Sequence, residues 1–469
     1  MTTEVPVTFL GRVRRDRALG IVAPINAGAR LINGRRIEEA AGYPQMESMR
    51  DRTRAIRLDA LGRLDELLAR FAGRVEAGGG HVYFAATGDE AADYIRALAS
   101  REGVSTIVKS KSMVTEEIEL NEALEHDGLE TVETDLGEFI IQLAGEKPSH
   151  IIAPVLHKTR QQIGALFAER LDVPYTDDPT ELNAIARTHL REIFLAADMG
   201  ISGCNMAIAD TGSIVLVTNE GNGRLTTTAP RIHVVVMGME RIVESMPDAA
   251  TVLEVLARSA TGQRLSVYTN VITGPRRPAD PDGPEQLHVV ILDNGRSQTL
   301  AGSEAEILAC IRCGACLNVC PVYREVGGHA YGFTYSGPIG AVLTPSLQGL
   351  DTWHELPYAS TLCGACEDVC PVRIQIPQML LSLRARSAEE GNLPGWLRRG
   401  IRIYARAATR PARFRRLLKA GGLAGRVLAK EGWIEKAPSH GAAWTGARDL
   451  PQPATRSFHQ RWKEQNRGT

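Results

Sequence analysis

The sequence predicts an α/β protein built on a largely parallel sheet, followed by a helical segment rich in cysteine and then a basic, helical C-terminal region. Three observations carry that expectation. Strand-like and helix-like runs alternate through residues 81–171 at the lengths of parallel sheet units. Seven of the eight cysteines fall between Cys310 and Cys370, where random placement would put about one. From Gly391 onward 17 Lys and Arg stand against 4 Asp and Glu, so this tail carries +13 while the rest of the chain carries −14.

Residues 1–69 read as an N-terminal helical extension. An apolar stripe at helical spacing runs over 49–77 (Met49, Leu58, Leu61, Leu64, Leu68, Phe71) and stops at Gly78-Gly79-Gly80. The α/β domain is expected over 70–296. Within it 81–86, 105–108, 131–134 and 151–155 read as extended, and 88–100, 115–125, 159–171 and 181–197 as helical, with Asp89 and Glu90 in the first turn of one helix. Residues 206–209 and 214–218 flank Asp210-Thr211-Gly212-Ser213, a run of turn formers that predicts a hairpin. Strands follow at 232–237, 266–271 and 287–292, with a helix at 249–258, and Asp293-Asn294-Gly295-Arg296 closes the domain. Ser303-x-x-Glu306 predicts a capping box on the helix that delivers Cys310.

The cysteines read Cys310-x2-Cys313-x2-Cys316-x3-Cys320-Pro321, then Cys363-x2-Cys366-x3-Cys370-Pro371. The first is the bacterial ferredoxin run, in which three thiolates bind one cubane cluster and the fourth serves its neighbour. By that crossing, one iron–sulfur cluster takes Cys310, Cys313, Cys316 and Cys370, and the other takes Cys320, Cys363 and Cys366. Gly314 and Gly364 lie in matching Cys-Gly-Ala-Cys turns, where the missing Cβ lets backbone amides approach sulfur. The place equivalent to Cys310 in the second run is Ser360. Three outcomes stay open there: a three-iron cluster, a four-iron cluster with Ser360, His354, water or a partner group at the odd iron, or loss of the second cluster. Two clusters are the expectation, the first [4Fe-4S], the second [3Fe-4S] or [4Fe-4S] with a ligand other than Cys. A disulfide framework fits poorly in a chain of 469 residues with seven motif cysteines, and zinc knuckles do not use this spacing. Cys204 stands apart and reads as a small apolar residue.

At 469 residues and 43% hydrophobic content the chain should form about two to four soluble domains. Residues 1–10 lack the charged-then-apolar design of a leader, and no apolar run approaches the roughly 20 residues that span a bilayer, so a cytoplasmic protein is expected. Residues 397–430 read as basic helices with Arg398, Arg402, Arg406 and Arg413 around Ile401, Tyr404, Phe414 and Leu417. Such a surface suits an acidic protein, a nucleic acid or the anionic inner face of a membrane, and equally a solvated helical face. No base-reading motif accompanies it, so nucleic acid is not expected.

The stretches Glu133-Thr-Asp-Leu-Gly-Glu138, Ile208-Ala-Asp-Thr-Gly-Ser-Ile214 and Asn219-Glu-Gly-Asn-Gly-Arg-Leu225, with the run from Cys310 to Cys316, make the chain resemble the lactate-utilization iron–sulfur protein B family over nearly its whole length. The resemblance implies a LUD domain with the fold of sugar-phosphate isomerases and coenzyme A transferases, then a ferredoxin-like domain over 301–380 and a basic region over 391–469. It implies a three-protein system oxidising L-lactate to pyruvate, the other two members including an iron–sulfur, heterodisulfide-reductase-like subunit. The family's second run is similar in having three cysteines, and so are iron–sulfur subunits of succinate dehydrogenases, where one cluster is three-iron. The function expected is therefore that of an electron-transfer subunit rather than a complete enzyme. The alternative is a metabolite-binding redox sensor whose clusters are structural.

Catalytic residues are not legible. Oxidising a 2-hydroxy acid removes two electrons and two protons, and no dinucleotide fingerprint is present: Gly221-x-Gly223 is expected to open no helix, and Gly78-Gly79-Gly80 precedes a strand. A flavin or NAD site is expected on a partner. Lys109 and Lys111, at the end of one expected strand, and Asn219, Glu220, Asn222 and Arg224, in the loop after another, are candidates for a small-anion substrate site, with Asp135 and Glu138 weaker ones. The same loop is also ordinary turn chemistry.

Overall fold

The computed structural model describes residues 8–446, 448–454 and 456–466. The reading of residues 1–7 as part of a leaderless start lies outside them. The described residues up to Glu390 pack as one compact unit and those from Gly391 onward as a second.

Among the described residues ten strands build the first unit's two sheets: β1 (His81–Ala85), β2 (Thr106–Lys109), β3 (Glu130–Glu133), β4 (Met199–Ser202), β5 (Met206–Ile208), β6 (Ser213–Thr218), β7 (Ile232–Gly238), β8 (Ile242–Val243), β9 (Tyr268–Ile272) and β10 (Gln286–Leu292). Six of them form a wholly parallel sheet in the order β1-β10-β7-β4-β2-β3. β7 lies inside it with every residue buried, which is why its sequence is a near-continuous apolar run rather than an alternating one. The other sheet runs β8-β5-β6-β9, and β5 pairs antiparallel with β6 across the expected turn, Ile208 facing Ser213.

The expected fold class is what the structure shows, with local departures. The segment expected as a strand at 151–155 forms turns instead. Ile151 is buried away from the sheet, against the core that holds the cysteines, and Pro154 has no amide hydrogen to give to a ladder. The helix expected over 115–125 is two, Met113–Glu117 and Leu120–His126, broken where Glu119 takes φ +49°. Contrary to expectation, the glycine loop does open a helix, Asn222–Thr228, of only seven residues. The capping box at Ser303 does not form: a 3-10 turn, Ala305–Ala309, precedes Cys310, Ser303 bonds Glu304, and Glu306 pairs with Arg54. β4 was not legible at all, because Met-Gly-Ile-Ser is short and its glycine is a poor strand former.

The apolar stripe over 49–77 resolves into the helices Met46–Gly62 and Leu64–Ala77, preceded by Phe9–Ala18 and Val22–Ala41. Val22–Ala41 packs against Ala315–Val319, Pro321–Val326 and Met246–Thr261. One continuous core therefore joins apolar residues of the small sheet, of these N-terminal helices and of the cysteine-bearing segment. In the second unit, Gly395–Ala408 and Pro411–Leu428 form a helix pair, with Tyr404 edge-on to Phe414 at 6.2 Å.

Candidate iron–sulfur centre

Each cysteine run begins in a loop and passes through a short helix. Cys316 lies on Ala315–Val319 and Cys366 on Ala365–Asp368, and the two helices pack against each other. Cys320 caps Pro321–Val326, its sulfur accepting the Tyr323 amide at 3.5 Å. The loops repeat one another in backbone geometry. Arg312 and Gly314 have φ of +59° and +74°, Leu362 and Gly364 +55° and +84°. These left-handed steps curl each loop so that its amides point inward.

The thiols fall into two groups. Cys310, Cys313, Cys316 and Cys370 lie within electrostatic reach of one another, as do Cys320, Cys363 and Cys366, and Cys316 and Cys366 link the groups. Burial pushes the Cys370 thiol up to about 11 and Cys366 up to about 12, and raises Cys313, Cys316 and Cys320. Such thiols give up their protons only to something that replaces the charge, as iron does. Cys363 differs: it is exposed, and the Ala365 amide and Thr361 hydroxyl hold its thiol below the ordinary value.

The first group lines a pocket whose other walls include Ile151, Ile311, Ile339, Val372, Ile374 and Ile376. Amides reach its sulfurs: Arg312 N–H donates to Cys310 Sγ at 3.3 Å, and Ile374 N–H to Cys370 Sγ at 3.4 Å. Four thiols, an apolar enclosure and amide donors to sulfur together suit a cubane cluster. At the second group the Leu362 amide donates to Ser360 Oγ at 3.1 Å, repeating the Arg312 to Cys310 bond with oxygen in place of sulfur. His354 spends its Nδ1 on the Asp351 carbonyl at 3.0 Å.

Several residues around the first group were not singled out from sequence. The misread segment at 151–155 supplies Ile151 to the cavity wall. Beside it, His150 accepts the Ile152 amide on Nδ1, leaving Nε2–H to donate to Asn318 Oδ1 at 3.0 Å. Arg50, from the N-terminal extension, donates to the carbonyl of Cys370 at 3.0 Å, and Arg54 to that of Arg373 at 2.7 Å. Their helical spacing was visible, but it reads as a solvated face until the partner is known.

The substrate candidates divide. Lys109 and Glu133 are register partners at the ends of β2 and β3, with Nζ 2.6 Å from the carboxylate, and Lys109 also donates to Thr115 at 2.8 Å. Lys111 pairs with Glu138. Asp135 caps the helix Leu136–Ala144, and Glu220 accepts the Leu136 amide at 3.2 Å beside it. Asn222 is buried, with Oδ1 unpartnered. Lys109, Lys111, Glu133, Asp135, Glu138 and Glu220 come together, and acids outnumber lysines among them. Desolvation and the Glu138 charge push Glu116 up to about 8, and desolvation and Asp135 push Glu220 up to about 7. Asn219 instead holds a turn, bonding Gln263 at 2.9 Å and Val267 N–H at 3.2 Å, and Arg224 is exposed. Cys204 packs against the apolar core of the sheet, where burial pushes its thiol up to about 12.

Residues 68–292 match the LUD domain, 306–374 the 4Fe-4S dicluster domain, and 398–467 the family described as lactate utilisation protein B, C-terminal. The chain is 48% identical over 445 residues to lactate utilization protein B of Bacillus licheniformis, covering 94% of this chain and 93% of that one. It is 48% identical over 426 residues to lactate utilization protein B of Bacillus subtilis strain 168, covering 90% and 89%. The chain belongs to the lactate utilization protein B family. Among solved structures, a DUF162 family protein from Deinococcus radiodurans aligns with 98% of its own length and 49% of this chain at 17% identity, with a TM-score of 0.28. Membership makes this an iron–sulfur protein of the 4Fe-4S dicluster kind, and the two thiol groups lie within that matched segment.

Proposed function

We propose that this protein is the iron–sulfur electron-transfer subunit of a complex that oxidises L-lactate to pyruvate. The observation that carries the proposal is the gathering of seven thiols into two adjoining groups, in a chain whose relatives are named for lactate utilization. When bound, the clusters supply two centres that each accept one electron, which matches the two electrons released by a 2-hydroxy acid. The protein's own residues bind the irons, enclose the first centre in apolar side chains and leave Cys363 of the second at the surface, where a partner can approach. Hydride or proton removal then belongs to a partner, and the electrons leave toward a second iron–sulfur, heterodisulfide-reductase-like subunit.

In this reading Cys310, Cys313, Cys316 and Cys370 hold a [4Fe-4S] cluster. Cys320, Cys363 and Cys366 hold the second, either [3Fe-4S] or [4Fe-4S] with Ser360 as candidate fourth ligand, a reading supported by the Leu362 amide bond to Ser360 Oγ that repeats the Arg312 bond to Cys310. A small-molecule site belongs at the carboxyl ends of β2 and β3, where Glu220 and Asn222 remain to face a ligand and the paired Lys109 and Lys111 hold the acids in place. The basic helix Gly395–Ala408 gives the complex a peripheral place on an anionic membrane. Its Arg398, Arg399, Arg402 and Arg406 share one face at helical spacing, and Trp396, Ile401, Ile403 and Tyr404 remain exposed.

The test is anaerobic purification with the natural partners, counting of iron and sulfide, and EPR before and after adding L-lactate. Reversible reduction by lactate is the expected result. Clusters that no donor reduces would point to the sensor instead, and a response to glycolate alone would change the substrate.

A further inference from the structure

Arg312 lies between two cysteines of the first group and turns inward. Only 9% exposed, it places its guanidinium 4.4 Å over the Tyr335 ring and Nη2 3.5 Å from Glu240, while Nε and Nη1 have no hydrogen-bond partner. Two further buried arginines converge on the same place from distant parts of the chain. Arg241 donates to the Cys310 carbonyl at 3.1 Å. Arg57, 2% exposed, donates to the carbonyls of Leu308 at 3.3 Å and Ala309 at 3.4 Å, the residues that lead into Cys310.

The carboxylates there are too few. Glu117 is taken by Arg296 at 2.8 Å, Asn294 at 2.8 Å and the Tyr335 hydroxyl at 2.6 Å. Glu240 is shared, with Arg296 at 2.7 Å, Arg241 at 3.7 Å and Arg312 at 3.5 Å. Four buried arginines thus meet two buried carboxylates. An uncompensated buried charge costs several kcal/mol, so a fold that keeps two of them needs an anion in the same place. The further group that Arg57, Arg241 and Arg312 all face is the sulfur of Cys310, which carries negative charge as a thiolate when it binds iron.

We propose that Arg57, Arg241 and Arg312 are the built-in counter-charge of the first cluster, holding its reduction potential up so that a deeply enclosed centre still accepts an electron. This rests on the iron–sulfur reading above. Enclosure in apolar side chains disfavours the extra negative charge of a reduced cluster, and fixed positive charge at one ligand offsets it. The arginines act through the cluster's surroundings, as positioning residues. At the second group the cations are only half-buried: Arg324 faces Cys320 and Arg384 donates to the Ser360 carbonyl at 3.1 Å, and Asp368 opposes at Cys363.

The test is an EPR-monitored redox titration of the anaerobically purified full chain, comparing Arg312→Met, Arg312→Lys and Glu240→Gln with the parent. Arg312→Met should lower the potential of one cluster and leave the other where it was, and Arg312→Lys should restore most of the shift. Glu240→Gln, which removes negative charge from the same place, should move that cluster the opposite way. If Arg312→Met fails to retain iron, Glu240→Gln alone decides the matter. Variants that keep their iron and show unmoved potentials would overturn the proposal. A parent protein without iron would instead overturn the iron–sulfur reading beneath it.

Discussion

Ser360 and Cys363 show how much turns on a single atom in this protein. Ser360 Oγ takes the place that sulfur has in the first loop, down to the amide it accepts. Replacing it with Ala should leave a three-iron EPR signal in the oxidised protein, and replacing it with Cys should abolish any such signal. Spectra identical across parent, Ser360→Ala and Ser360→Cys would remove Ser360 from the ligand set. Cys363 is exposed and its thiol is held down by neighbouring donors, whereas burial raises those of Cys313, Cys316, Cys320, Cys366 and Cys370. Iodoacetamide should therefore modify Cys363 first in iron-free protein and spare it in the iron-loaded form, as read by peptide mass spectrometry. Equal labelling in both forms would deny it a role as ligand.

At the scale of elements, the strands were legible where they are long and β-branched, as in β7 and β10, because full burial in a parallel sheet selects such runs. The hairpin of β5 and β6 was legible from its turn residues. What misled was context. The apolar segment at 151–155 reads as a strand by composition, and it forms turns instead, with Ile151 buried beside the thiols. β4 hides because its defining feature is closeness: a Cβ on Gly200 would stand 1.8 Å from the Thr226 carbonyl oxygen. Gly200→Ala should therefore destabilise the fold by about 3 kcal/mol, in the range of overpacked cores, as measured by urea unfolding. A loss within experimental error would mean that the helix Asn222–Thr228 moves aside freely.

For the molecule as a whole, buried histidine links folding to pH. His233, on β7, is 1% exposed, lies 2.8 Å from Ser202 Oγ, and is pushed down by desolvation from 6.5 to about 3. Below pH 6.5 the unfolded chain binds a proton there that the folded chain refuses, so this residue's contribution is complete above pH 6.5 and is lost as pH falls toward 3. The slope is about 1.4 kcal/mol per pH unit. Against His233→Asn, the parent should lose stability at that rate between pH 6 and pH 4, and a gap independent of pH would contradict the assignment. Among the described residues no helix is long and apolar enough to cross a membrane. Binding through Gly395–Ala408 should accordingly depend on lipid charge: the full chain should sediment with vesicles rich in phosphatidylglycerol, not with phosphatidylcholine alone, and release in high salt. Binding to neither would reject the peripheral placement, and release by an acidic protein partner alone would reassign the surface.

The sequence by itself determined the fold class, the hairpin, the basic character of the last 79 residues and the seven thiols with their spacing. Those are local properties, since hydrophobic period, turn chemistry and the reach between neighbouring cysteines are decided by residues a few positions apart. Only the tertiary structure decided what surrounds the thiols: Arg57, Arg241 and Arg312 on one shoulder, Ile151 in the cavity wall, and both strand-end lysines already matched to carboxylates. Charge compensation and enclosure are set by residues that are far apart along the chain and meet only when it folds, and no periodicity in the sequence reports them.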